Sequence, residues 1–127
     1  MPVNYARDDV RRLITVSMHG PFDTRSLVDT LDRQVAEGTW AYARLYDERG
    51  VTVAPTSQQI RALLDAVRQR LRDHGPRGAV AVVTDQPAHF GMVRMYMTLA
   101  EEEPAVSVFR DPADAHRWLA ERGHGPP

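Results

Sequence analysis

A continuous apolar run constrains the fold of this 127-residue chain more than any other segment does. It covers residues 78–84 and reads Gly-Ala-Val-Ala-Val-Val-Thr, a set of small and β-branched residues that favours a strand. Because successive side chains of a strand point to opposite faces, a strand that is apolar throughout must be covered on both faces. Helices on both sides of a mostly parallel sheet give that cover. The run is therefore predicted to be a central strand of an α/β domain.

Hydrophobic periodicity places further strands and helices around this run. Strands are predicted at residues 3–5, 13–18, 40–47 and 106–109. Helices are predicted at residues 24–37, 57–74 and 87–100 and from residue 112 onward, with a loop at 48–55. Caps support three of these helices: Asp23 or Thr24, Thr56 or Ser57, and Asp111 before a proline.

The order of these elements is ββαβαβαβα, which predicts a mixed, mostly parallel sheet of about four to five strands with about four helices. The length of the chain suits one domain with one core. We therefore expect a single domain over residues 1–122, followed by a flexible tail at 123–127 that is rich in glycine and proline.

Charge and composition narrow the expected partners. Sixteen basic and seventeen acidic residues give a formal net charge of -1, which argues against a nucleic-acid partner and against binding to a membrane surface. No segment has the ~18 apolar residues of a membrane span, and the first residues do not resemble a signal peptide, so we expect a cytoplasmic protein. The absence of cysteine excludes disulfides and thiol chemistry.

The familiar motifs of catalysis and nucleotide binding do not occur. The sequence has no Gly-x-Gly-x-x-Gly, no P-loop and no Gly-x-Ser-x-Gly, and its five histidines are not paired at metal-binding spacing. We therefore expect no catalytic residues, no metal and no cofactor. An enzyme would require acids or histidines clustered in one cleft of the folded chain. Asp85, at the end of the apolar run, is interpreted either as a helix cap or as a site residue.

The third helix carries an unusual group of methionines and aromatics. Methionine and aromatic side chains make adaptable surfaces for partners or apolar ligands. Spacing predicts that Phe90, Val93 and Met97 face the sheet, whereas Met92, Met95 and Tyr96 lie partly off that face. The candidate contact or ligand surface comprises Phe90, Met92, Arg94, Met95 and Tyr96.

Two hydroxyls at the start of the second helix form another candidate. Thr56 and Ser57 can cap the helix, and a phosphate there would meet free backbone N–H groups. The two interpretations, cap and phosphorylation switch, both remain open at this point.

Three segments in the second half of the chain resemble the bacterial STAS/SEC14-domain-like proteins, which are small proteins of the SpoIIAA-like fold. They are residues 78–85, residues 90–96, and residues 108–111 with Ala115, Trp118 and Leu119. The resemblance implies a SpoIIAA-like fold. Relatives that are anti-sigma-factor antagonists carry a phosphorylated serine in an Asp-Ser-Ser-Gly motif. Ser57 matches that hydroxyl, while Pro55 and Gln58 replace the aspartate and the glycine.

Two functions follow as expectations. The first is a non-enzymatic regulatory or protein-interaction module that resembles anti-sigma-factor antagonists and uses the loop before the second helix together with the third helix. The alternative is a binding protein for a small apolar or lipid-like ligand, as the SEC14 resemblance implies, with the second and third helices as walls. A protein partner or self-association is expected for either, because small domains often pair symmetrically.

Overall fold

The computed structural model describes residues 2–103 and 105–122, so the predicted tail at 123–127 lies outside the described residues. The described elements are β1 (Val3–Asp8), β2 (Leu13–Pro21), α1 (Thr24–Glu37), β3 (Ala43–Val53), α2 (Ser57–His74), β4 (Val80–Val83), α3 (Pro87–Leu99), β5 (Val106–Phe109) and α4 (Pro112–Glu121). They confirm the predicted order. None of the helices in these two ranges is long and apolar enough to cross a membrane.

The strands form one sheet in chain order, β1-β2-β3-β4-β5. β1 is antiparallel to β2, and each later strand is parallel to the one before it, since a helix connects each such pair. The predicted mixed, mostly parallel sheet is confirmed.

The two faces of the sheet bury different sets of side chains. One face packs against α1, α2 and α3 through the larger core, which includes Leu27, Ile60 and Val93. The other face packs against α4 over the middle of the sheet, through Ala81, Leu119 and their neighbours. The apolar run is therefore covered on both sides, as its composition requires, because residues 79–83 are all buried.

Local capping explains where the helices begin and end. The Asp23 carboxylate accepts a hydrogen bond from the Ser26 backbone N–H, and α1 ends at Gly38, whose φ of 73° is in the left-handed region. Asp111 caps α4 in the same way, with Pro112 in the first turn. The predicted bounds of α1 and β5 agree with the structure.

The predicted loop at 48–55 is wrong for most of its length. β3 starts at Ala43 and continues to Val53, because β2 continues to Pro21 and pairs with it through a register shift. His19 pairs with Gly50 at the shift, where a Cβ on Gly50 would lie 2.8 Å from the Met18 carbonyl oxygen. Glycine thus allows the two backbones to approach closely enough to extend the strand.

Candidate functional site

The larger core contains a cavity of about 50 Å³ between the sheet and helices α1, α2 and α3. Most of its wall is aliphatic or aromatic, with Tyr46, Val80, Val82 and Val106 from the sheet and Leu27, Leu31, Ile60, Leu63, Val67 and Val93 from the helices. A buried water needs about 10–15 Å³ of such space, so the cavity has room for a few waters or a very small organic group.

One end of the cavity is formed by a buried pair of side chains, Glu48 on β3 and His89 on α3. His89 Nε2 lies 2.6 Å from Glu48 Oε1, and the two side chains are 0% and 6% exposed. The Phe22 ring packs against the imidazole in a T-shaped arrangement, with ring centres 5.9 Å apart. His89 Nδ1 is buried and finds no hydrogen-bond partner in the part of the chain that is described. His89 thus lines the cavity and has one buried ring nitrogen without a partner among the described residues.

The opposite end contains Arg77, Glu103 and Tyr96. Arg77 donates from Nε and Nη2 to the Glu103 carboxylate at 2.5 and 2.9 Å, and the Tyr96 hydroxyl donates to the same carboxylate at 2.9 Å. Burial alone would raise the pKa of Glu103, but Arg77 and Tyr96 together lower it. Burial would likewise lower the pKa of Arg77, yet Glu103 raises it. This end of the cavity is therefore charged at neutral pH.

Arg44 on β3 adds a second buried guanidinium beside this group. The residue is 0% exposed, and Nη2 donates to the Trp40 carbonyl oxygen at 2.8 Å. Its Nε and Nη1 are buried and have no acceptor among residues 2–103 and 105–122. Burial and then the charge of Arg77 lower the pKa of Arg44 to about 9. The guanidinium carbons of Arg44 and Arg77 lie 5.2 and 5.9 Å from the centre of the Trp40 ring.

The residues of the predicted contact surface on α3 differ in their exposure. Arg94 is exposed and its guanidinium lies 5.9 Å from the Phe90 ring centre, whereas Met92 and Met95 are half-buried against the larger core. Tyr96, predicted to lie partly off the sheet-facing side, is 7% exposed and lines the cavity. The reason is that Glu103 and Arg77 provide partners for its hydroxyl inside the core.

The buried stripe of α3 is also different from the predicted one. Its buried residues are His89, Val93 and Tyr96, whereas Phe90 and Met97 are half-buried. The stripe begins with His89 and ends with Tyr96. These two polar residues can be buried because each binds a buried glutamate. Hydrophobicity alone therefore predicted Phe90 and Met97 to be buried, where the structure buries their neighbours His89 and Tyr96.

The two predicted switch hydroxyls are exposed but differ in their contacts. Thr56 is the cap of α2: its hydroxyl accepts from the Gln59 backbone N–H, while the Gln59 side chain accepts from the Thr56 backbone N–H. Ser57 is the first residue of the helix, outside this capping box. Neither residue lines the cavity.

A polar cleft lies beside the later parts of β2 and β3 and just beyond the end of β4. It has a volume of about 450 Å³ and is lined by Asn4, Ser17, His19, Asp47, Arg49, Gly50 and Asp85. Asp85 is thus a cleft residue and not a helix cap, since α3 is capped by Gln86. Arg49 and Asp47 bind one another, with an Nη2–Oδ2 distance of 2.7 Å. No group of three or more potential metal ligands occurs in the two described ranges.

Comparison with known proteins addresses the fold. No family model matches the chain, and no curated protein matches it. Among solved structures, it is similar to an uncharacterized protein from the DUF3478 family with a SpoIIAA-like fold, from Shewanella loihica PV-4. The TM-score is 0.57 at 16% sequence identity, over 92% of this chain and 91% of that chain. The chain has a SpoIIAA-like fold, as the resemblance implies.

Proposed function

We propose that this protein is a non-enzymatic binding module that holds a small, mostly apolar molecule in the cavity between the sheet and helices α1–α3. The observation that carries the proposal is the cavity itself, which has apolar walls and buried polar groups at both ends. Ligand sites in proteins combine these two features, because apolar walls supply affinity and a few polar groups fix orientation.

Helix α3 is the wall that opens in this proposal. Its cap Gln86 makes no side-chain hydrogen bond to the helix, and Gly91 lies within it at a cost of about 1 kcal/mol relative to alanine. Glu101, Glu102 and Glu103 follow its C-terminus, where negative charge opposes the helix dipole. Two buried contacts hold α3 in place, the Glu48–His89 pair and the hydrogen bond from Tyr96 to Glu103, and opening of the helix would have to break them.

The Glu48–His89 pair is the kind of cluster that an enzyme would require. The described residues that line the cavity include no serine, threonine, cysteine or lysine that this pair could activate as a nucleophile. The proposal therefore assigns to this pair the binding of a polar group and no catalytic step.

A titration with butanol, followed through the backbone amide signals in NMR spectra, tests the proposal. We expect saturable shifts at Tyr46 and Val82, which line the cavity. Val82→Phe fills the cavity and should abolish those shifts. Val108→Phe is the matched control, because Val108 pairs with Val82 in the sheet, is half-buried and does not line the cavity. Equal butanol binding by both variants, or none by the unmodified protein, would contradict the proposal.

A regulatory or protein-interaction role is the second candidate, and the exposure of Ser57 supports it. Ser57 begins α2, where a phosphate would meet backbone N–H groups of the first turn other than that of Gln59, which Thr56 already caps. Mass spectrometry of the protein purified from its own source tests this role. A phosphoryl group on Ser57 is the expected result, and consistently unmodified Ser57 together with a homogeneous monomer would contradict it.

A further inference from the structure

A row of polar side chains crosses three neighbouring strands at the floor of the polar cleft. Asn4 on β1 pairs with Ser17 on β2, and Ser17 pairs with Asp47 on β3. Asp47 pairs in turn with Val83, whose side chain belongs to the core under α4. Residues that are in register across a sheet share a face, so this row lies on the α4 face. The apolar cavity lies on the opposite face, and no described residue lines both.

Helix α4 leaves this row accessible. It packs mainly against β3, β4 and β5, whereas Asn4 on β1 is exposed and Ser17 and Asp47 are half-buried. The cleft above the row has a volume of about 450 Å³, which is within the usual range of small-molecule sites. It extends just beyond the end of β4, and open α/β sheets bind their ligands beyond the carboxyl ends of the strands. The cleft therefore has the size and the position of a ligand site.

Two polar groups of the cleft are not engaged by the protein. The Ser17 hydroxyl and the Asp85 carboxylate make no hydrogen bond or ion pair within residues 2–103 and 105–122. Asp47 differs, because its two carboxylate oxygens accept from Nε and Nη2 of Arg49 at 2.9 and 2.7 Å. A ligand could therefore bind Ser17 and Asp85 without breaking a contact that the folded chain already makes.

The charge of the cleft selects the class of ligand. Asp47 and Asp85 supply two negative charges and Arg49 supplies one positive charge, so with neutral histidine the described lining has one negative charge in excess. The hydrogen bond to Asp47 is the main reason why the pKa of Arg49 is raised, and the charges of Asp85 and Asp111 raise it further. Arg49 thus lies among carboxylates that outnumber it. Such a field attracts a cation and repels an anion.

We propose that the polar cleft binds a small organic ammonium ion, with its charged nitrogen on Asp85 and its other polar groups on Ser17 and Asn4. An ammonium group has three donors, and its hydrogen bonds to a carboxylate are stronger than those between neutral groups. The described residues that line the cleft include no aliphatic or aromatic side chain to hold a long apolar chain, so the ligand is a polar amine. This site is separate from the cavity and goes beyond the proposed function.

Binding of three probes of similar size tests the inference: serinol, glycerol and glycerate, at neutral pH and constant ionic strength. Serinol is a cation that differs from glycerol by an ammonium group in place of the central hydroxyl, and glycerate is an anion. An ion pair at an exposed site favours serinol over glycerol by about fivefold, and glycerate should bind more weakly than glycerol. The dissociation constants come from NMR titration of the amide signals of Ser17 and Gly50, which line the cleft.

Two variants should shift the preference for serinol in opposite directions. Asp85→Asn removes the unpaired carboxylate and should bring serinol and glycerol to within about twofold of each other. Arg49→Gln releases Asp47 from its ion pair and should increase the preference for serinol. Asp29→Asn is the control, because Asp29 is exposed on α1 and its replacement changes the net charge as Asp85→Asn does. It should leave the preference unchanged.

The outcomes decide the inference independently of the cavity. Equal binding of serinol and glycerol, tighter binding of glycerate, or no saturable shift at Ser17 and Gly50 with any probe would overturn it. An equal effect of Asp85→Asn and Asp29→Asn would also overturn it, because the preference would then come from net charge and not from the cleft. None of these results bears on butanol binding in the cavity, since the two sites share no described residue. Asp85 and Arg49 are exposed, so their replacement should leave the fold intact.

Discussion

Replacing Glu103 with glutamine should destabilise this protein strongly. The side chains of Glu103 and Arg77 are 6% and 3% exposed, and the carboxylate accepts hydrogen bonds from Arg77 and from Tyr96. Glutamine keeps the shape of the side chain and removes its charge, which leaves two buried guanidinium groups with no anion beside them. Breaking a buried ion pair in this way costs about 3–5 kcal/mol. We expect the free energy of unfolding to fall by that amount.

Urea unfolding followed by circular dichroism measures this loss, since the midpoint and slope together give the free energy of unfolding. Glu102→Gln is the matched control. Glu102 precedes Glu103 in the chain and binds Arg68 at the surface, so its replacement should leave stability nearly unchanged. A loss below about 1 kcal/mol for Glu103→Gln, or equal losses for the two variants, would refute the role given to the buried pair.

The pH dependence gives an independent check of the same pair. The pKa of Glu103 in the folded protein lies below its ordinary value of 4.5, because Arg77 and Tyr96 outweigh the effect of burial. The unfolded chain therefore takes up this proton at a higher pH than the folded protein does. The stabilisation by Glu103 is complete above the unfolded pKa and is lost as pH falls through the folded pKa. The difference in stability between the unmodified protein and Glu103→Gln should accordingly shrink below about pH 4.5.

Three further changes test the fold by the same urea measurement. Leu64→Ala should cost about 2–5 kcal/mol, because Leu64 is 3% exposed in the larger core, and a loss below about 1 kcal/mol would mean that the α2 face is not core. Thr56→Ala should cost about 1 kcal/mol by removing the capping box, while Ser57→Ala should cost less, and the reverse ranking would assign the cap to Ser57. Gly78→Ala should cost about 1–3 kcal/mol, because its Cβ would lie 2.5 Å from the Tyr42 carbonyl oxygen, and a neutral result would mean that the backbone there gives way.

The order of the elements and several of their bounds could be predicted from the sequence because the signals are local. Asp23 and Gly38 delimit α1 through hydrogen bonds and backbone angles within a few residues of each end. The continuation of β3 to Val53 could not be predicted in the same way. Its residues 48–50, Glu-Arg-Gly, are polar and resemble a turn, and they become strand only because β2 is available beside them.

Most of the candidate site could not be predicted from the sequence, because its residues come together only in the folded chain. Glu48 and His89 are separated by 41 residues, and Arg77 and Glu103 by 26. No spacing rule joins residues at such distances. The alternation in β3 did contain one usable signal: it predicts that Arg44 shares a face with Tyr46, which is buried. A charged residue on the inward face of a predicted strand merits attention as a site residue.

The sequential order of the strands has a consequence for how the chain folds. Each strand pairs with the strand that precedes it in the chain, so each new strand finds its partner already synthesised. Loop closures between neighbouring strands are short in sequence, which lowers the entropy cost of each step and favours rapid folding for a sheet protein. During synthesis, however, β4 presents an apolar edge until β5 pairs with it, and that interval is when the nascent chain is most prone to associate with other chains.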